Sequence, residues 1–89
     1  MNEIKNICEN IVKAFTETNF KEFIGQLLTF RDEVIKHDPQ EMDPGIVDLA
    51  MDENMWEWAS SAVNRKVTDF DWEAAGYIAA DVQDCLKNM

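Results

Sequence analysis

Apolar residues recur along this chain at the three- and four-residue steps of an α-helix, in four successive runs. The first is Ile4, Ile7, Cys8, Ile11, Val12 and Phe15, which fall on one stripe of a helix predicted over Asn2–Thr16. Thr16-Glu17-Thr18-Asn19 reads as a turn, with Thr18 or Asn19 able to cap the next helix. The second run, Phe20, Phe23, Ile24, Leu27, Leu28, Val34 and Ile35, predicts a helix over Phe20–His37. Arg31 interrupts that stripe, but its aliphatic stem can cover core while its head reaches water. Phe30 lies off the stripe, beside Phe23 and Leu27, and is expected to widen the buried face toward a third helix.

Pro39 blocks continuation of the second helix, and Asp43-Pro44 suits an N-cap followed by proline in the first helical position. The third helix is predicted over Pro44–Lys66. Its apolar set is Ile46, Val47, Leu49, Ala50, Met51, Met55, Trp58, Ala59, Ala62 and Val63. An interruption is expected near Asp52-Glu53-Asn54, where Asn54 can restart the helix as a cap. Val67-Thr68-Asp69-Phe70-Asp71 reads as a linker with two candidate caps. The fourth helix, over Asp71–Lys87, carries Trp72, Ala75, Ile78, Ala79, Val82, Cys85 and Leu86 on one stripe, and Ala75, Gly76, Ala79 and Ala80 permit close approach of a neighbour. The expectation is one all-α domain over residues 1–89, a compact antiparallel bundle of about four helices.

Composition supports helix. Three glycines and two prolines cannot supply the turns that an all-β chain of 89 residues needs. An apolar content of 46% argues against wholesale disorder. No apolar run approaches the roughly 18 residues of a membrane span. Met1-Asn2-Glu3-Ile4-Lys5 lacks the basic start and apolar stretch of a secretory signal, so the expected location is cytoplasmic. Cys8 and Cys85 read either as two buried free thiols or as one disulfide tying the terminal helices together.

Charge changes the picture more. The net charge is −10, and it is unevenly placed. Residues 1–37 hold six acids and five bases, whereas residues 38–89 hold twelve acids and three bases. No lysine or arginine lies between Lys36 and Arg65, while seven acids do. A field of that sign repels nucleic acid and anionic membranes and attracts basic surfaces.

The motifs of catalysis are absent. The chain has no glycine-rich phosphate loop, no nucleophile elbow, no HExxH pair and no cysteine–histidine pairing. A calcium loop fails as well: counted from Asp38 the sixth position is Asp43 rather than glycine and the twelfth is Leu49, and counted from Asp43 the twelfth is Asn54. His37 is not placed to join either cysteine in a zinc pattern. The expectation is a non-enzyme with no cofactor and no metal.

The acids are ordered. Glu73, Tyr77, Asp81 and Asp84 form one ridge on the fourth helix. Asp48, Asp52 and Trp56 follow four-residue steps on the third, with Glu53 and Glu57 on the adjoining row. Asp69 and Asp71 precede the last helix. These eleven residues are the expected partner-binding set. For any single acid a solvated face is the simpler reading; for the half-chain as a whole, an anionic binding surface is favoured. Trp58 and Trp72 lie on apolar stripes and read as core. Trp56 points away from Trp58, and is either an interface anchor among acids or a cover beneath the Asp38–Gly45 loop.

Asn19-Phe20-Lys21-Glu22-Phe23, Asp52-Glu53-Asn54-Met55-Trp56 and Asp81-Val82-Gln83-Asp84-Cys85-Leu86 carry a resemblance. In general plan, over residues 15–88, the chain resembles the immunity proteins that neutralise colicins of the tRNA-cleaving type. That resemblance implies an acidic face occluding the basic RNA-binding cleft of a nuclease toxin. Phage proteins that mimic nucleic acid, among them anti-restriction and anti-CRISPR proteins, are similar in composition. The expected function is therefore an acidic inhibitor of a basic, nucleic-acid-handling protein, with no direct contact to nucleic acid or membrane. A helical adaptor that docks through an apolar groove, or forms a homodimer through Ala75–Ala80, is the alternative.

Overall fold

The computed structural model describes residues 2–89. The four predicted runs become five α-helices: α1 (Asn2–Thr16), α2 (Phe20–Ile35), α3 (Pro44–Ala50), α4 (Glu53–Ala62) and α5 (Asp69–Lys87), with a short 3₁₀ turn at Pro39–Glu41. Among the described residues there is no strand, and no helix is long and apolar enough to cross a membrane. The predicted third helix is thus two helices. The interruption falls where expected, but Asp52 rather than Asn54 caps the restart, its Oδ1 accepting from the Met55 N–H at 3.1 Å. The second helix stops at Ile35 and α4 at Ala62, short of the predicted ends at His37 and Lys66.

Each start follows the local chemistry. Asn19 caps α2 by accepting from the Glu22 N–H, Asp38 caps the 3₁₀ turn, and Asp43 caps α3 ahead of Pro44. α5 begins at Asp69, two residues before its predicted start, because Thr68 and Asp71 form a reciprocal capping box. α1 ends in a Schellman turn. The Asn19 N–H donates to the Ala14 carbonyl at 2.9 Å and the Thr18 N–H to the Phe15 carbonyl at 3.1 Å. Thr18 occupies the left-handed position of that turn, at φ 56°, where glycine is the usual residue.

α1 lies between α2 and α5 and packs against both, whereas α3 touches α2 and α5, and α4 leans on α2. Ile4, Cys8 and Ile11 of α1, Phe23 and Phe30 of α2, Ala75 of α5 and Val82 are fully shielded. Phe30 is therefore core, as its position beside Phe23 and Leu27 predicts. The small residues of α5 serve α1: Ala75 and Ala79 are buried, and a Cβ on Gly76 would stand 3.5 Å from the Phe15 ring. The face predicted to permit close approach is thus largely occupied within the chain. Cys8 and Cys85 are both buried free thiols.

One end of the molecule is aromatic. Phe20 stands edge-on to Trp72 at 5.2 Å and to Trp58 at 5.8 Å between ring centroids, while Phe15 meets Phe23 and Trp72 at 6.1 and 6.0 Å. α1, α2, α4 and α5 meet through these five rings. Edge-on pairs at such spacing add roughly 0.5–1.5 kcal/mol each beyond area burial.

Candidate functional site

Asp71 apart, the residues predicted to meet a partner divide into three groups. The first converges. Asp48 of α3, Asp52 at the α3–α4 junction, and Asp81 and Asp84 of α5 line one shallow groove of about 300 Å³, together with Gly45, Leu49 and Cys85. α3 brings this about by packing against α5, which joins two ridges that are separate in sequence. All four aspartates are exposed. Among the described residues only Asp84 has an ion pair, to Lys87 at 3.6 Å, and both of those side chains are open to water. Asp52 also has its structural task at the start of α4.

The second group extends from that groove along α5. Glu73 and Tyr77 share a helical face with Asp81 and Asp84, and Tyr77 is 70% exposed. Phe70 belongs to this ridge, at 72% exposure. The pattern of apolar residues alone places Phe70 in the linker before this helix. The signal was present, since Phe70 precedes Glu73 by three residues and Tyr77 by seven, but it becomes visible only once the helix is known to start at Asp69. Two uncovered aromatic rings among carboxylates on one helix face are uncommon on a solitary domain, and aromatics dominate binding hot spots. Asp69 is exposed in the first turn of α5, where it also favours the helix dipole.

The third group does not join this face. Glu53 and Glu57 are exposed on α4 but do not line the groove. Trp56 is half-buried, and the Arg31 guanidinium of α2 lies 4.0 Å from its ring centroid. One face of its ring is covered by a cation from its own chain, a contact that draws α4 onto α2.

Asp71 is the correction. Its side chain is 1% exposed, so it is no part of an anionic surface. Oδ1 accepts from Trp58 Nε1 at 3.0 Å and from Arg65 Nη2 at 2.6 Å. Oδ2 accepts from Arg65 Nη1 at 2.7 Å and from the Thr68 N–H and hydroxyl, each at 2.8 Å. The Arg65 hydrogen bonds, helped by those of Thr68 and Trp58, hold this carboxyl well below the usual carboxylate range despite the opposing effect of burial. Asp71 fastens the α4–α5 connection above the aromatic end. The helical pattern could not reveal this, because Asp71 looks like any other acid near a cap until Arg65 and Trp58 arrive from α4 and the segment after it.

The remaining anionic surface is a set of exposed carboxylates. Its carboxylates share similar, solvated surroundings, whereas acid–base catalysis needs contrasting ones. What it can do is present a line of negative charge, spaced along α5 and flanked by two aromatic rings, to a complementary cationic surface. Compared with protein-family models, with curated proteins and with solved structures, the chain matches none.

Proposed function

We propose that this protein is an acidic inhibitor that binds and blocks a basic, nucleic-acid-handling protein, with a nuclease toxin as the leading class of target. The observation that carries this reading is the convergence of Asp48, Asp52, Asp81 and Asp84 on one groove, continuous with the exposed Phe70–Tyr77 ridge. In the bound state these carboxylates would take the places of phosphates opposite the target's lysines and arginines, while the two rings pack against the target or stack on its guanidinium groups. Like charges held this close repel by a few tenths of a kcal/mol per pair, about as same-face pairs on a helix do, and a cationic partner relieves that repulsion.

The test is capture of the partner from the native host, followed by calorimetric titration at low and high salt. The expected partner is basic, and its affinity falls steeply with salt because association rests on charge. Reversing Asp48, Asp81 and Asp84 to lysine together should abolish binding with the helical signal intact. Reversing Glu9, Glu17 and Glu22 should have much less effect. Equal losses from both triple variants would show that net charge, not this face, is what the partner reads.

A second reading, an adaptor, has one observation in its favour. An apolar groove of about 380 Å³ between α2 and the α4–α5 connection is lined by Phe20, Ile24, Leu28, Ala62, Val63 and Val67, with Lys21 and Arg65 at its rim. Its chemistry suits an apolar anchor carried beside an acidic group. Binding that ignores salt and is lost on Leu28→Asp would favour it over the acidic face.

A further inference from the structure

We propose that Glu3, Glu33 and His37 form a zinc-binding site that ties the first turn of α1 to the end of α2. Glu33 and His37 are four residues apart, so the chain leaving α2 places them on the same side of that helix. His37 just continues the helical turn, its N–H donating to the Val34 carbonyl at 3.1 Å. Glu3 comes from the other end of the sequence pair, on α1. One donor atom from each of the three lies within 4.8 Å of the other two. His37 Nε2 stands 3.6 Å from Glu33 Oε1.

The second observation is the imidazole itself. His37 Nε2 is buried from solvent and has no hydrogen-bond partner among the described residues, although a carboxylate stands beside it. Buried polar atoms are nearly always partnered, and one left over asks for a proton or a ligand. Glu33 is half-buried, and its other oxygen is held by Lys36 at 3.5 Å, which leaves Oε1 facing the histidine. Two carboxylates brought this close repel each other. A dication at their centre removes that conflict.

The donor set selects the ion. One imidazole nitrogen and two carboxylate oxygens suit a borderline metal that accepts three protein ligands and completes its shell with water. Calcium and magnesium call for six or more oxygens, which this corner does not supply. Zinc–ligand bonds of about 2.0–2.2 Å in a tetrahedron set donor atoms about 3.3–3.6 Å apart. The Glu33–His37 pair already has that spacing. Glu3, exposed on the first turn of α1, supplies the third donor atom, within 4.8 Å of the other two. None of these three residues belongs to the acidic groove, so the site stands apart from the proposed inhibitory face.

The experiment uses the full chain, stripped with chelator and titrated with zinc chloride by calorimetry, with thermal unfolding followed in parallel and cobalt(II) absorption as a coordination probe. The expected result is one site per chain and a melting temperature raised by about 10 °C when zinc exceeds its dissociation constant a hundredfold. His37→Gln should weaken binding by about a hundredfold or more, since even groups that only support a ligand are worth 10–100-fold. Glu3→Gln should weaken it with the far-UV helical signal unchanged, and Asp48→Asn with Asp81→Asn should leave it intact. Zinc binding that survives His37→Gln, binding that magnesium matches, or the absence of any stabilisation would each overturn the assignment. So would binding that is lost in Cys8→Ser but kept in His37→Gln.

Discussion

Asp71→Asn is the substitution from which the structure predicts most. The carboxylate accepts five hydrogen bonds, two from Arg65, two from Thr68 and one from Trp58. An amide retains one acceptor oxygen and turns a donor toward whichever partners faced the other. The charge opposite Arg65 is lost as well. Breaking a fully buried pair by removing one partner costs about 3–5 kcal/mol, but the Arg65 side chain is 39% exposed and can turn to water, so about 2–3 kcal/mol is the reasoned loss. For a domain of this size that corresponds to a melting temperature lower by roughly 10–20 °C. Denaturant unfolding followed by circular dichroism measures it, with exposed Asp69→Asn as the control. The pH dependence has a definite sign. The folded-state carboxyl is held below its unfolded value, so its stabilisation is complete above about pH 4 and is lost as pH falls toward the folded value. The gap between wild type and Asp71→Asn should therefore be constant from neutrality down to about pH 5 and shrink below about pH 4. A variant within about 0.5 kcal/mol of wild type at neutral pH, the range of an ordinary surface change, would refute the account of this knot. So would a gap that widens in acid.

Thr18→Gly should stabilise the fold by about 0.5–1 kcal/mol, because it relieves a β-branched residue at φ 56° at the end of α1, and a fall in melting temperature would contradict that reading. Cys8 should resist alkylation in the folded protein at neutral pH and react fully after denaturation, since burial first, and then the neighbouring Cys85 and Glu9, push its thiol up to about 12. Cys85, raised chiefly by burial and then by Asp43, Asp81 and Asp84, lines the acidic groove and should label faster than Cys8, and rapid native-state labelling of Cys8 would count against the packing of α1 on α5. Trp56→Leu keeps bulk but removes the face beneath Arg31, and should cost about 0.5–1 kcal/mol in thermal unfolding, a loss that Arg31→Met should not add to.

How much of this was legible beforehand follows from the range of each interaction. The helical runs, the break near Asp52, the caps at Asn19 and Asp43 and the core positions Phe23, Phe30 and Val82 depend on neighbours within a few residues, and the pattern of apolar and capping side chains contains that information. The excess of acid beyond residue 37 is likewise a property of the chain alone. Boundaries were less legible where two signals competed. Either Asp52 or Asn54 could restart a helix, and Thr68 claims the start of α5 only because Asp71 answers it three residues later. The site depended on tertiary structure. Whether an aspartate is a surface charge or a buried anchor turns on what lies opposite it, and Asp71 meets Arg65 and Trp58 only when α4 and α5 fold back on each other. Trp56 is shared with Arg31 from a helix some 25 residues earlier, Asp48 joins Asp81 through the packing of α3 on α5, and Glu3 comes to His37 across the α1–α2 pair. Helical periodicity states which way each side chain faces on its own helix; it carries no information about which other helix stands there, and burial, charge pairing and ligand geometry are all set by that second helix.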